Sequence, residues 1–184
     1  RRVLFRSSFL LEHFYIVDET TSMTKQDLNG TKLVTMDLSA KLGKEEPLVL
    51  IYHTHGSETY KKVNGKEGSV IEVGTALTKE LENVYGIKTV HDKSVYDMVD
   101  GQLDRNAAYN FAGDSVEAAL RKNPSVKVVI DLHRDSVENN IHLRTKINGK
   151  SAAQIMFFNG VSRLASKGDI GYLYNPNKKA DRKS

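Results

Sequence analysis

The segment HTHGSE, residues 53–58, has the spacing most typical of a metal site in this sequence. His55 and Glu58 form an H-x-x-E arrangement directly after the apolar run PLVLIY. His133 follows a second apolar run, VKVVID. Two imidazoles and one carboxylate, with a fourth position left open, are a known ligand set of catalytic zinc. In such sites zinc activates a water molecule and polarises a carbonyl group. The sequence therefore predicts a zinc site built from these three residues.

The first histidine of the segment leaves an alternative open. His53 and His55 share the same parity along the strand, so alternation of side chains does not decide between them. The turn after the strand must decide which imidazole faces the metal. Asp131 or a backbone carbonyl is expected to orient the imidazoles through the ring nitrogen that does not bind the metal.

Three further charged residues are candidates for the same site. Glu72 is the alternative carboxylate ligand, although an acid in the first turn of a helix commonly complements the helix dipole. Arg134 and Asp135 are candidate catalytic residues, because a guanidinium near the metal could stabilise an oxyanion or bind a substrate carboxylate. An Arg–Asp pair that only holds the loop is the alternative interpretation.

The elements that position these residues alternate between strand and helix patterns. The pattern predicts strands at 47–52, 87–91 and 126–133 and helices at 70–85 and 103–122. This order predicts an α/β domain with a mostly parallel sheet and helices on both faces. Sites in such sheets lie beyond the carboxyl ends of the strands, where both histidine motifs fall. Beyond them, Asn148-Gly149 predicts a hairpin, and Ser22 or Thr24 a helix start.

Composition is that of a soluble globular domain. The chain has 184 residues, 39% hydrophobic and 27% charged, with no cysteine. Disulfides and thiolate ligands are therefore excluded. No apolar run approaches the roughly 20 residues of a membrane span. The sequence also lacks a phosphate-binding glycine loop, a serine triad and a cysteine nucleophile.

The two ends of the chain resemble translated sequencing adapter. RRVLFRS at residues 1–7 and DRKS at 181–184 can be encoded by DNA strings that are reverse complements and match a common sequencing adapter. We expect both ends to be translated adapter, which leaves a natural fragment at 8–180. The head carries three positive charges and the tail a net one, so the formal charge of +4 falls to zero. The basic isoelectric point then gives no reason to expect nucleic acid as a partner.

Five segments make the chain resemble the stage II sporulation protein P family of endospore-forming bacteria. They are FYIVDETTS (14–22), LIYHTHGSE (50–58), VGTALTKELENVYGIKTVHDKSVYD (73–97), NPSVKVVIDLHRDS (123–136) and INGKSAAQIMFFNG (147–160). The strings YHTH-x-x-E and D-x-HRD are the specific ones. The resemblance places the family's metal histidines at His55 and His133. It favours Glu58 over Glu72 as the acidic ligand.

The resemblance implies a zinc-dependent peptidoglycan hydrolase related to N-acetylmuramoyl-L-alanine amidases. It implies cleavage of the amide between N-acetylmuramic acid and L-alanine during spore engulfment, with a second activity on peptide cross-links. It also implies an extracytoplasmic domain on a membrane anchor that lies outside this fragment, and action with stage II sporulation proteins D and M. The family's general-base glutamate has no counterpart after FFNG. We therefore expect a truncated domain with weak activity or none.

Two other functions stay open from the sequence. One is a zinc carboxypeptidase-like hydrolase of wall peptides. The other is a non-catalytic wall-binding scaffold, which would need no general base.

Overall fold

A computed structural model describes residues 6–17, 28–37, 39–40, 45–60, 66–138 and 141–158, and the strands within 163–169. Two compact units are distinguished. The central unit is Ser39–His142, and the terminal unit combines Arg1–Leu38 with Leu143–Ser184. The proposed adapter segments are residues 1–7 and 181–184. Of these, residues 1–5 and 181–184 lie outside the described residues.

The central unit contains a small parallel sheet. Its elements are β1 (Val49–Tyr52), α3 (Val70–Asn83), β2 (Thr89–His91), β3 (Met98–Val99), β4 (Gln102–Leu103), α4 (Arg105–Lys122) and β5 (Val128–Asp131). These follow two helices of the terminal unit, α1 (Ser7–Phe14) and α2 (Gly30–Thr35). The sheet order is β2-β1-β5, and both pairings are parallel. The carboxyl ends of all three strands therefore meet at one edge.

The central strand β1 forms the core. Val49, Leu50 and Ile51 are at most 5% exposed. This explains why the sequence of β1 is continuously apolar rather than alternating, as expected for a parallel strand covered on both faces. The edge strand β5 is different, since Val128 and Val129 are each more than 40% exposed.

Both long helices begin at side-chain caps that the sequence encodes. Ser69 and Glu72 form a capping box at the start of α3, in which each side chain binds the other residue's backbone N–H. Asp104 caps α4 by accepting hydrogen bonds from the N–H groups of Asn106 and Ala107. Helix α3 packs against β1 and β2.

The terminal unit holds short elements. Besides α1 and α2 it contains the hairpins β6 (Arg144–Ile147) with β7 (Lys150–Ala153), and β8 (Arg163–Leu164) with β9 (Gly168–Asp169). Asn148 and Gly149 both have positive φ, at 50° and 77°, as a two-residue I′ turn requires. Ser7 Oγ donates to the carbonyl of Leu28 at 2.7 Å.

The predicted α/β class and parallel sheet are confirmed, and so is the hairpin at Asn148-Gly149. A zinc amidase-like arrangement with helices on both faces stays a prediction. Helix α1 was not expected from the sequence pattern, and the predicted helix start at Ser22 or Thr24 lies outside the described residues. No helix in the described part of the chain has the length and apolar character needed to cross a bilayer.

Candidate metal centre

A tight turn after β1 decides the orientation of the first histidine motif. The N–H of Glu58 donates to the carbonyl of His55 at 3.2 Å, which brings these two side chains to the same side. Their side chains are 12% and 6% exposed. His53 is fully buried, and its ring nitrogens lie against the carbonyl of Leu132 and the ring of His91. The turn therefore places His55, and not His53, beside Glu58.

The end of β5 brings the third residue to the same point. Tyr52 of β1 is the register partner of Asp131 in β5, and His133 follows two residues later. The Nδ1 atoms of His55 and His133 each lie 3.9 Å from an oxygen of Glu58. One ligand atom from each of the three residues lies within 4.8 Å of the others.

The carboxylate of Glu58 is a buried charge held by backbone. Its Oε2 accepts a hydrogen bond from the N–H of Arg134 at 2.8 Å. Among the described residues, no lysine or arginine forms an ion pair with it. A buried carboxylate without a cation is costly to maintain. A divalent cation between the carboxylate and the two imidazoles would supply the missing charge.

The other nitrogen of each imidazole is already engaged. His133 Nε2 lies 2.9 Å from Asp131 Oδ2, and His55 Nε2 lies 3.4 Å from the carbonyl of Arg105. Both partners are acceptors, so each Nε2 carries the hydrogen in the neutral ring. Each Nδ1 then presents its lone pair toward Glu58. This is the arrangement in which outer partners fix the tautomer of metal-binding histidines.

Asp131 is itself held in place by Thr54. The N–H and the hydroxyl of Thr54 donate to the two oxygens of Asp131 at 2.9 and 2.7 Å. Hydrogen bonds from His133 and Thr54 keep the pKa of Asp131 below its usual range, although burial acts in the opposite direction. The hydrogen bond to Asp131 raises the pKa of His133, and the charges of Asp131, Glu58 and Asp97 add to that effect.

The donor set fits zinc. Ligand atoms about 2.1 Å from a tetrahedral zinc ion lie about 3.4 Å from each other. The two separations of 3.9 Å from Glu58 are wider than this by about half an ångström, and all three ligand atoms lie within 4.8 Å of one another. His133 is 32% exposed, so one side of the group is open to solvent.

The structure places the other candidates outside this group. The carboxylate of Glu72 accepts from the N–H of Ser69 in the capping box, at 2.8 Å. Arg134 reaches the group through its backbone N–H, while its guanidinium donates to the carbonyl of Asp135 at 3.3 Å. Asp135 accepts from the N–H of Ser136. Arg134 and Asp135 therefore sit beside the centre without joining the cluster of ligand atoms.

His53 forms a buried pair that local sequence does not indicate. Its Nδ1 lies 2.9 Å from the carbonyl of Leu132, and its Nε2 lies 2.9 Å from His91 Nε2. His53 therefore donates through Nδ1 and accepts from His91. Gly74 of α3 allows this approach, because a Cβ there would lie 2.6 Å from His91 Nε2. A glycine in the middle of α3 is the one sequence signal that could have indicated the pair.

Comparison with known proteins gives two matches. The chain matches the family model described as Stage II sporulation protein P (SpoIIP) over residues 10–180. It is also 28% identical to the Stage II sporulation protein P of Bacillus subtilis (strain 168), over 127 residues. That alignment covers 63% of this chain and 31% of the relative, so the chain matches about a third of the relative's length. No solved structure matches the chain significantly. Since the family match spans nearly the whole sequence and includes both histidine motifs, the chain belongs to the stage II sporulation protein P family.

Proposed function

We propose that this chain is part of a zinc-dependent peptidoglycan hydrolase that cleaves the amide between N-acetylmuramic acid and L-alanine. The observation that carries the proposal is the convergence of His55, Glu58 and His133 at the carboxyl ends of two parallel strands. Membership of a sporulation family directs the proposal to the cell wall. Cleavage of stem-peptide cross-links by the same centre is part of the proposal.

Zinc bound by these residues would supply Lewis acidity for attack on an amide carbonyl. Three groups of the chain hold the proposed ligands in place. Asp131 orients His133, the carbonyl of Arg105 orients His55, and the N–H of Arg134 orients Glu58. A preorganised ligand set of this kind needs little rearrangement when it takes up a metal.

We further propose that the full-length protein acts outside the cytoplasmic membrane on an anchor, together with stage II sporulation proteins D and M. This part rests on the family and not on any contact in the chain.

Zinc stoichiometry of the purified chain tests the metal centre. We expect about one zinc per chain by metal analysis, and loss of that metal in His55→Ala, Glu58→Ala and His133→Ala. His142→Ala is the control, because His142 lies outside the ligand group in the same unit. Glu72→Ala is the second control. It should keep the metal but lower the free energy of unfolding by about 1 kcal/mol through loss of the helix cap. Full zinc retention in both histidine variants would contradict the proposal.

Mass analysis of digested peptidoglycan tests the bond. Amidase action releases stem peptides with a free L-alanine amino group. Cross-link cleavage converts linked stem peptides into unlinked ones, whereas carboxypeptidase-like cleavage leaves shortened peptides attached to glycan. Intact muropeptides from a chain that also binds no zinc would favour a wall-binding scaffold.

A further inference from the structure

Asp97 is a buried carboxylate whose two oxygens are both used by one residue. It is 0% exposed. Its oxygens accept from the N–H and the hydroxyl of Ser57, at 3.1 and 2.5 Å. None of the lysine, arginine or histidine side chains in the described part of the chain forms an ion pair with it. Ser57 lies between His55 and Glu58, so this buried charge fixes the middle of the turn that carries both of these residues.

The same turn packs closely against the segment that leads to Asp97. A Cβ on Gly56 would lie 2.9 Å from the carbonyl oxygen of Ser94 and 3.1 Å from the Cα of Val95. Only glycine permits this approach of two backbones. The turn is therefore held to residues 94–97 by backbone contact as well as by the carboxylate.

A hairpin links Asp97 to the start of α4. The carbonyl of Asp97 accepts from the N–H of Asp104 at 2.9 Å, and β3 pairs with β4 between them. Asp100 and Gly101 connect the strands with positive φ angles of 49° and 78°, the values of an I′ turn. The hairpin is thus closed at both ends by hydrogen bonds.

Helix α4 returns to the metal-binding turn. Asp104 caps α4, and the carbonyl of its first residue, Arg105, accepts from His55 Nε2 at 3.4 Å. The ring of Tyr109, one turn along, meets the His55 ring edge-on at 5.3 Å between centroids. The connections from Ser57 through Asp97, the hairpin and α4 to His55 therefore form a closed ring.

We propose that Asp97 is a positioning residue for the metal centre, acting through Ser57 on one side and through the 97–104 hairpin and α4 on the other. The part that concerns zinc rests on the proposed function. This closed ring of connections fixes His55 at two points. The turn fixes its backbone, and the carbonyl of Arg105 accepts from its Nε2. Removal of Asp97 leaves the metal ligands in the chain but frees the turn that brings them together.

Zinc affinity, measured by competition with a chelator, tests this role. We expect Asp97→Ala to weaken zinc binding about tenfold or more, the range found for residues that orient metal ligands. Ser57→Ala should have a smaller effect, because the N–H of residue 57 still binds Asp97. In the double variant the two losses should not add, since both remove one interaction.

Ile51→Val controls for lost stability. Ile51 is a fully buried residue of β1 outside the ring, so its truncation destabilises the unit without touching the ligands. We expect this variant to bind zinc as the unaltered chain does. Equal zinc affinity in Asp97→Ala and Ile51→Val would overturn the positioning role.

Hydrogen exchange of the metal-free chain tests the ring without zinc. Asp97→Ala should speed amide exchange both at 54–58 and at the start of α4. Ile51→Val should not speed exchange in these two segments together. Exchange that rises at one segment alone would overturn the coupling. An unaltered chain that binds no zinc would instead defeat the proposed function, and the exchange data would still decide whether Asp97 holds the turn.

Discussion

The two imidazoles of the candidate metal centre are held with different strength. His133 donates to a carboxylate at 2.9 Å, whereas His55 donates to a backbone carbonyl at 3.4 Å. A hydrogen bond to an ionised partner is shorter and stronger than one between neutral groups. Asp131 therefore constrains His133 more firmly, and it also makes the ring a more basic ligand. The position of His55 depends more on the turn and on α4.

Asp131→Asn tests both effects of the carboxylate. Asp131 accepts from the Thr54 N–H through Oδ1, and from the Thr54 hydroxyl and His133 through Oδ2. The amide has one acceptor oxygen, so its NH2 group must face the donors on one of these two sides. We expect zinc affinity at neutral pH to fall by about 10- to 100-fold. We also expect the pKa of His133 in the metal-free chain to fall, because its principal cause of elevation is removed. Zinc competition and NMR titration of the imidazole measure the two outcomes.

Asp114→Asn, on the exposed surface of α4, is the control for losing one carboxylate. It should leave zinc affinity unchanged. If Asp131→Asn bound zinc as tightly as that control, the orienting role of Asp131 would be wrong.

Helix α3 and the sheet meet over the buried histidine pair. Gly74 is the contact point, since a Cβ would lie 2.8 Å from His53 Nε2 and 2.6 Å from His91 Nε2. The pair cannot move away easily, because His53 is also fixed to the carbonyl of Leu132. Glycine lowers the helix propensity of α3. Close packing of the helix on the histidine pair is the physical reason why a glycine stands at this position.

Gly74→Ala tests this packing against a matched glycine. Alanine gains about 1 kcal/mol of helix propensity over glycine. At residue 74 we expect overpacking to exceed that gain, with a net loss of about 1–2 kcal/mol in the free energy of unfolding. Gly113 of α4 has no neighbour within 4 Å of the position that a Cβ would take, so Gly113→Ala should stabilise by about 0.5–1 kcal/mol. Urea unfolding of both variants measures the difference, and stabilisation by both would contradict the packing argument.

The elements that carry the site are predictable because their signals are local. A continuous apolar run defines β1, and the caps Ser69 and Asp104 mark the helix starts. Polar residues directly after two parallel strands must meet at one edge of the sheet. For this reason His55 and His133 can be placed near each other from the sequence alone.

The connections that hold the site are not local, and sequence patterns do not reveal them. Ser57 and Asp97 are 40 residues apart, and His53 and His91 are 38 apart. The first pairing depends on packing of a loop against a turn, and the second depends on β2 lying beside β1 in the sheet. Glu72 is the opposite case, because its capping role is visible in the S-x-x-E spacing, yet a carboxylate near the site also fits a ligand.

At the scale of the whole molecule, three histidines have pKa values shifted in opposite directions, and we expect these shifts to make stability depend on pH near neutrality. The hydrogen bond to Asp131 raises the pKa of His133 above the ordinary 6.5. Its contribution to stability is therefore present below pH 6.5 and is lost as pH rises through its folded pKa. Burial lowers the pKa of both His53 and His91. Their contribution is present above pH 6.5 and is lost as pH falls toward their folded pKa values.

His91→Gln isolates the second contribution. Glutamine keeps an N–H that can donate to His53 but does not titrate. Below pH 6.5 the unfolded chain takes up protons that the folded pair refuses, so the free energy of unfolding should fall with acid less steeply in the variant than in the unaltered chain. Urea unfolding between pH 5 and 8, with chelator present to remove metal, measures the two slopes. His142→Gln removes an exposed histidine and is the control for losing one titratable group. Parallel curves for His91→Gln and the unaltered chain would show that the buried pair does not govern acid stability. A flatter curve for His91→Gln alone would identify the contact between α3 and the sheet as the acid-sensitive part of the central unit.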